Sequence, residues 1–258
     1  MPEIAHNNSN TPTEYHIVRR RWVTASGLRK LLASLEGSEE QYRTLYVKPD
    51  SQNTGPDAGP ELAEILREVP VSESGLAIFQ GLSSAIAISP PFPIDKDSIN
   101  ENLDSSPLKE ILDRDLTVGV VLLRLGNYAI GVIRGEKVIA SKSGSRHVKN
   151  RHKQGGSSQR RFERSRKRLI REIFDKACEV MCAIFAPYEK RLDYIMLGGE
   201  KTTLKGLLER CEYLTKTNVE VMDRRLAVER PGKIALDEIH HEVWKSHVYV
   251  LEKVPIHS

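Results

Sequence analysis

Residues 146–171 of this 258-residue chain read RHVKNRHKQGGSSQRRFERSRKRLIR, and this stretch decides how the second half of the chain can fold. It contains eleven Lys and Arg residues, two His residues and a single acid, Glu163. The stretch carries +10 and the whole chain +4, so the other residues together sum to −6. Positive charge is therefore concentrated in one place, which is typical of a surface that binds a polyanion such as nucleic acid.

The centre of this stretch predicts a loop followed by a long helix. Gly155 and Gly156 allow the backbone to bend sharply and to come close to a ligand. From residue 158 to residue 185, apolar side chains recur every three or four positions, and Pro187 ends the pattern. Ser157 or the serine after it is a suitable N-cap, which places Gln159 in the first turn, beside free backbone amides.

The segments that flank the basic stretch predict a mixed sheet. Before it, residues 118–125, 128–133 and 137–141 are apolar and are separated by turns of two or three residues, which predicts an antiparallel meander. The first of these runs is almost unbroken, as in a strand that is buried on both faces. Beyond the helix, residues 192–197 predict a parallel strand, because a long helix makes the crossover.

The first part of the chain predicts a smaller α/β domain that contains no catalytic constellation. Leucines at helical spacing predict a helix over residues 24–37, and short apolar runs at 76–79 and 85–88 predict a β-hairpin. The predicted organisation is a disordered tail over 1–14, an N-terminal α/β domain over 15–94, a connector over 95–116 and a second α/β domain over 117–258.

Composition excludes several classes of protein. Hydrophobic residues make up 39% of the chain, but no apolar run approaches the roughly 20 residues that span a bilayer, so no membrane partner is expected. The first residues lack the apolar segment of a secretion signal, so we expect a cytoplasmic protein. The cysteines, Cys178, Cys182 and Cys211, are odd in number, which argues against a disulfide framework and for a reducing compartment.

Other motifs indicate structure rather than chemistry. Cys178 and Cys182 have a spacing that a metal site could use, but their apolar neighbours favour a place in the core. His240, His241 and His247 surround Glu242 in sequence without forming the His-Glu-x-x-His zinc motif. The segment 198–202 lacks the spacing of a phosphate loop and favours a strand-to-helix turn. The sequence therefore predicts neither a metal nor another cofactor.

Gln159 is the candidate catalytic residue, with Gly155 and Gly156 before it. Its carboxamide can orient a water molecule, and nearby amides can stabilise an oxyanion. The pattern also fits a flexible loop with a solvent-facing glutamine. Acids are almost absent from the flanking segments, which favours contact with phosphates. The RNA-binding candidates are Arg146, Lys149, Arg151, His152, Lys153, Arg160, Arg161, Arg164, Lys167, Arg168 and Arg171.

In combination these features resemble the Vms-type branch of release-factor-like proteins, which is related to the catalytic domain of eukaryotic and archaeal peptide-chain release factors. The resemblance rests on residues 144–164, which contain Gly-Gly-x-x-Gln, and on residues 192–200 beyond the helix. It covers about residues 118 to 200. It implies a bacterial or archaeal member and an RNase H-like α/β fold for the second domain, with a mixed sheet and a long basic helix.

The resemblance implies that the protein works at the large ribosomal subunit, on peptidyl-tRNA and against ribosomal RNA, in the rescue of stalled ribosomes. Gln159 would place the water that releases the nascent chain. The release-factor motif has Gln directly after Gly-Gly, whereas Ser157 and Ser158 intervene here. Two alternatives therefore stay open: an endonuclease that cuts the 3′ acceptor end of peptidyl-tRNA, and a non-catalytic RNA- or ribosome-binding module. We expect a monomer away from the ribosome.

Overall fold

The computed structural model describes residues 13–52, 59–145 and 157–255. The chain divides into two compact units, Met1–Asp113 with Lys245–Ser258, and Arg114–Trp244. Each unit contains one β-sheet with helices packed on it, which confirms the predicted α/β fold class.

The described elements are strands and helices, with one much longer helix in the second unit. Two short 3-10 segments, Pro49–Ser51 and Ala186–Arg191, lie between them. In chain order the elements are β1 (Thr13–Val23), α1 (Ala25–Glu36), β2 (Arg43–Val47), α2 (Pro60–Glu68), β3 (Leu76–Gln80), β4 (Ser84–Ser89), β5 (Ser98–Asn100), α3 (Ser106–Asp113), β6 (Thr117–Arg124), β7 (Asn127–Arg134), β8 (Lys137–Ser145), α4 (Ser157–Phe185), β9 (Tyr194–Gly199), α5 (Lys201–Leu208), α6 (Glu212–Lys216), β10 (Glu220–Leu226), α7 (Lys233–Asp237), α8 (His240–Val243) and β11 (Ser246–Pro255).

The first unit is a six-stranded antiparallel sheet in the order β1-β11-β4-β3-β2-β5. The predicted helix over residues 24–37 is α1, which begins where the hydroxyl of Thr24 accepts a hydrogen bond from the Gly27 N–H at 3.2 Å. The predicted hairpin is the β3–β4 pair. Leu62 and Ile65 of α2 are fully buried in the core of this unit.

The domain boundaries differ from the sequence prediction in three places. β1 begins at Thr13, inside the predicted tail, and residues 1–12 lie outside the described residues. The predicted connector contributes α3 to the first unit, together with β5, which pairs with β2. β11, predicted to lie in the second domain, pairs with β1 and β4. His247 and its partner Ser89 are 158 residues apart, so no local pattern identifies the pairing.

The second unit contains a five-stranded mixed sheet in the order β10-β9-β6-β7-β8. β6, β7 and β8 form the predicted antiparallel meander, and β9 is parallel to β6 as predicted. All residues of β6 except Arg124 are buried, which confirms that this strand is covered on both faces. The sheet is therefore a rigid support for the segments that follow the ends of its strands.

α4 packs on this sheet through its C-terminal half. Gly119 in the middle of β6 allows close approach of the helix, because a Cβ atom there would lie 2.8 Å from Cζ of Phe185. A bulkier residue would push the aromatic ring away from the strand. The buried side chains of α4 are Ile173, Phe174, Ala177, Val180, Met181 and Phe185.

A disulfide between Cys178 and Cys211 joins α4 to the turn between α5 and α6, with 5.7 Å between the two Cα atoms. The prediction that the cysteines form no disulfide is therefore wrong for this pair. The two residues are 33 positions apart and meet because α5 packs on α4, a contact that spacing does not reveal. Cys182 is the free cysteine, half-buried on α4.

Candidate functional site

The basic stretch leaves the second sheet at the edge where β6 and β9 end. Ser145, the last residue of β8, pairs with Asn127, which in turn pairs with Arg124 at the end of β6. Gly199, the last residue of β9, lies opposite Leu123 at the same edge. Outside the described residues lie the candidates Gly155, Gly156, Arg146, Lys149, Arg151, His152 and Lys153.

α4 begins at Ser157, which confirms the predicted long helix and places its start one residue before the predicted Ser158. The predicted serine N-cap stays a prediction. Gln159 is the third residue of the helix and so belongs to its first turn. The backbone N–H groups of a first turn have no partner within the helix, and they carry the positive end of the helix dipole. The backbone of Gln159 thus lies where an anion or a developing oxyanion is stabilised. The side chains of residues 157–160, including Arg160, are not described.

The first half of α4 presents cations to solvent. Its Arg168 pairs with Glu172 one turn later, with 3.6 Å between Nε and Oε1. The other exposed cations of this half have no ion pair with any carboxylate in the described part of the chain. Their spacings of three and four residues place them along one side of the helix. These cations are Arg161, Arg164, Lys167 and Arg171.

The second half of α4 carries its charges in pairs. Asp175 accepts a hydrogen bond from Nη2 of Arg210 at 2.8 Å, and Lys176 donates to Glu179 at 2.7 Å. The hydrogen bond from Arg210 lowers the pKa of Asp175, and the bond to Glu179 raises the pKa of Lys176. Both pairs therefore stay ionised at neutral pH, and their charges largely cancel.

Three further cations lie at the same edge of the sheet, and the sequence analysis missed them. Arg124 ends β6, Arg225 lies next to the end of β10, and Lys201 opens α5 directly after β9. All three are exposed, and none forms an ion pair with a carboxylate among the described residues. These three cations lie in three separate segments of the chain, so the sequence contains no cluster of charge that would identify them as part of the site. The usable signal is the convergence of parallel strand ends at one edge of a sheet.

A tight turn connects β9 to α5 at this edge. Gly199 has φ +136°, and a Cβ atom there would lie 2.0 Å from the carbonyl oxygen of Leu123. The guanidinium of Arg225 donates to the carbonyl of Gly199 at 3.3 Å. Only glycine fits this position, which confirms the predicted strand-to-helix turn at residues 198–202.

The remaining sequence candidates do not assemble into a second site. The rings of His240 and His241 lie against each other with centroids 4.0 Å apart. No group of three or more His, Cys, Asp or Glu residues that could hold a metal occurs within 13–52, 59–145 and 157–255. Burial raises the pKa of the Cys182 thiol, which favours the protonated form at neutral pH. In the same residues, no helix is long and apolar enough to cross a membrane.

A mixed sheet and a long cationic helix, joined in sequence by a basic segment that contains Gly-Gly-x-x-Gln, indicate a release-factor-like translation protein. Residues 116–249, slightly more than half of the chain, match the model of the Actinobacteria/chloroflexi VLRF1 release factor family. The chain belongs to this family, which confirms the resemblance that the sequence indicated.

Curated relatives point to the same class. Peptide chain release factor subunit 1 of Archaeoglobus fulgidus is 28% identical over 152 residues, and that of Methanopyrus kandleri is 29% identical over 154 residues. These matches cover 55% and 56% of this chain and 37% of each relative. The chain therefore corresponds to little more than a third of the length of these release factors.

Solved structures of related proteins superpose only loosely. The archaeal translation termination factor aRF1 is 16% identical with a TM-score of 0.34, covering 81% of this chain and 67% of that chain. The Vms1 mitochondrial localization core is 12% identical with a TM-score of 0.34, covering 70% and 77%. Likeness at this level carries no weight for the geometry of the site.

Proposed function

We propose that this protein is a peptidyl-tRNA hydrolase that releases nascent chains from stalled ribosomes or large ribosomal subunits in the cytoplasm. The observation that carries the proposal is the place of Gln159 in the first turn of α4. Gln159 therefore lies at the start of the first half of α4. Among the exposed cations of this half, Arg168 pairs with Glu172, and the others have no carboxylate partner among the described residues. Family membership and the similarity to release factors support translation as the context.

The cations of the first half of α4 act as the RNA-binding surface in this proposal. They contact phosphates of ribosomal RNA or of the tRNA acceptor arm, and such contacts fix position and orientation without reading sequence. Arg124, Lys201 and Arg225 extend the same surface along the sheet edge. The C-terminal half of α4, buried on the sheet, then holds the first turn of the helix in a fixed position.

Gln159 acts on the ester that joins the peptide to the 3′ ribose of the tRNA. Its carboxamide orients a water molecule, which attacks the carbonyl carbon. The bond between that carbon and the ribose oxygen breaks, and the water's proton passes to the ribose oxygen. The products are a peptide with a free carboxylate and a tRNA with a free 3′ hydroxyl. Amides of the first turn of α4 stabilise the oxyanion, and such a donor is typically worth about 2.7–4 kcal/mol.

The test is peptide release from purified stalled ribosomal complexes that carry a labelled peptidyl-tRNA. We expect Gln159→Ala to slow release by about 10²–10³-fold, the loss typical of one group that acts on the transition state. Gln154→Ala is the matched control, because it makes the same change in the same basic stretch on the other side of the glycine pair. Equal loss in both variants would contradict the assigned role of Gln159.

The same assay separates the alternatives through its products. An endonuclease leaves nucleotides on the released peptide and shortens the tRNA, whereas a hydrolase leaves the tRNA intact. A non-catalytic module gives no turnover that depends on Gln159. If Gln159→Ala retains full release while Arg164→Gln/Lys167→Gln abolishes it, the protein acts through binding and the catalytic role is wrong.

A further inference from the structure

The first unit presents a second cationic surface, far in sequence from Gln159. Residues 19–22 of β1 read Arg-Arg-Arg-Trp, and all four side chains are exposed. Trp22 keeps 50% of its surface open to solvent, which is unusual for the residue type with the largest apolar area. β1 forms one edge of its sheet in the described part of the chain, so the backbone of this segment borders solvent.

On the side of β1 that faces away from β11, only the first part of the strand has its backbone N–H groups bonded to other described side chains. The N–H of Tyr15 donates to Oε1 of Glu64 at 2.5 Å, and the N–H of Ile17 donates to Oε1 of Glu68 at 3.4 Å. Both carboxylates come from α2. The ladder to β11 is then interrupted by a bulge after Ile17. Beyond the bulge, no carboxylate of the described residues pairs with the arginines at 19–21, so their charges remain available.

Trp22 is held in place by an aromatic stack. Its ring is nearly parallel to that of His247, with an interplanar angle of 9° and centroids 4.4 Å apart. His247 lies against Tyr249, whose hydroxyl is 2.8 Å from Nδ1 of the imidazole. Burial, with the charge of Arg20 added, lowers the pKa of His247 and keeps it neutral at pH 7. The tryptophan is thereby a fixed, half-exposed ring that follows three consecutive arginines along the strand.

Two other roles for this segment, protection of the sheet edge and binding of an acidic protein, explain the three arginines but leave the exposed Trp22 unexplained. Arginines on an edge strand prevent strand-to-strand aggregation, but that role needs no fixed and exposed tryptophan. An acidic protein partner would use the charges without using the flat ring. Aromatic rings that stack on bases, next to cations that contact phosphates, are the combination that binds unpaired nucleic acid.

We propose that residues 19–22 bind a single-stranded segment of RNA along the open edge of β1. Trp22 stacks on one base, and Arg20, on the same face of the strand, contacts an adjacent phosphate. Arg19 and Arg21 point to the opposite face and contact phosphates on the other side of the edge. This surface lies outside the unit that contains Gln159, so it adds a function to the proposed hydrolase and does not depend on it.

Tryptophan fluorescence tests the stacking directly. The chain has two tryptophans, and Trp244 is buried in the other unit, so Trp244→Phe leaves Trp22 as the only reporter. We expect saturable quenching when this full-length variant is titrated with an oligoadenylate of about 12 nucleotides, a typical site size for single strands. Trp22→Ala, which retains Trp244, should show no quenching and should bind about tenfold more weakly. Equal quenching of Trp22 by duplex RNA would overturn the stacking.

The charge part of the proposal is tested with two triple variants of equal charge. Arg19→Gln/Arg20→Gln/Arg21→Gln should reduce the log–log salt slope of RNA binding by about 2, since each neutralised phosphate of a single strand contributes about 0.7. The control Lys30→Gln/Arg67→Gln/Lys96→Gln removes three other exposed cations of the same unit and should leave the slope unchanged. Equal slopes in both variants would overturn the proposal. Self-association of the β1 variant with unchanged RNA affinity would instead establish edge protection.

Discussion

The two halves of α4 differ in composition and in what their residues contact. Residues 157–171 contain seven Lys and Arg residues and one acid, whereas residues 172–185 contain one Lys and three acids. Before residue 172 the described cations other than the half-buried Arg166 face solvent, and Arg168 alone among these exposed cations has a carboxylate partner in the described part of the chain. From Ile173 onward most apolar side chains are buried, and the acids Asp175 and Glu179 pair with cations. Net charge and charge pairing therefore both separate the proposed RNA-binding half from the supporting half. In the first half most exposed cations have no carboxylate partner among the described residues, whereas in the second half the charges are paired within the protein.

This difference gives the helix two tasks. The second half of α4 fixes the helix on the sheet. The first half presents cations and the first helical turn at the end of the sheet where β6 and β9 end. Catalysis by positioning depends on small errors in placement, so a rigid support matters as much as the group it holds. Four changes test this division of labour, in order of decreasing effect.

Phe185→Ala should destabilise the protein most. The side chain is fully buried against Gly119, and removal of such an aromatic side chain typically costs about 3–5 kcal/mol. Arg164→Ala, in the first half of the same helix, should change the free energy of unfolding by less than about 0.5 kcal/mol. Urea unfolding of both variants measures the difference. A similar loss in Arg164→Ala would mean that the first half also supports the fold.

Loss of the disulfide should be the next largest effect. The bond closes a segment of 33 residues, and the chain-entropy estimate for such a loop is about 3–4 kcal/mol. We expect that loss for Cys178→Ala/Cys211→Ala under oxidising conditions and a small one for Cys182→Ala, the free cysteine on the same helix. Thermal and urea unfolding, each with and without reductant, measure it. A wild-type stability that does not respond to reductant would contradict the contribution of the bond.

Neutralisation of two cations in the first half of α4 should weaken RNA binding and leave the fold intact. Arg164→Gln/Lys167→Gln should weaken binding to tRNA about tenfold and reduce the log–log salt slope by about 1.4–1.8, because two phosphate contacts are lost. Lys137→Gln/Lys190→Gln removes the same charge from exposed positions outside α4 and should change neither value. Fluorescence anisotropy at several salt concentrations measures both. Equal effects would mean that the protein responds to net charge and has no localised surface.

The parts that sequence predicted are those whose cause is local. The spacing of apolar residues specifies α4, because helical periodicity is set by residues three and four positions apart. The apolar run of β6 likewise specifies its burial. The arginines and lysines of the first half could be predicted as exposed because few acids accompany them.

The parts that sequence did not predict depend on contacts between distant segments. β11 joins the first sheet through partners such as Ser89, and the disulfide of Cys178 depends on the packing of α5 against α4. Arg124 and Arg225 lie near the site because β6 and β10 end at the same end of the sheet. The sequence of neither strand indicates that the two ends are neighbours. The assigned contacts of residues 146–153 stay predictions, since they lie outside the described part of the chain.

The smallest effect should come from a charge pair in the anchored half. Arg210→Gln removes the partner of Asp175, and because both side chains are about half exposed, the loss at pH 7 should stay below about 1 kcal/mol. The pair lowers the pKa of Asp175 in the folded state, so its contribution is complete above the unfolded pKa of about 3.9. It disappears as the pH falls through the lower folded value. Urea unfolding should therefore separate wild type from Arg210→Gln at pH 7 and bring the two curves together in acid. A difference that persists in acid would mean that Arg210 stabilises α4 by packing, and that the pairing of charges is not what distinguishes the two halves.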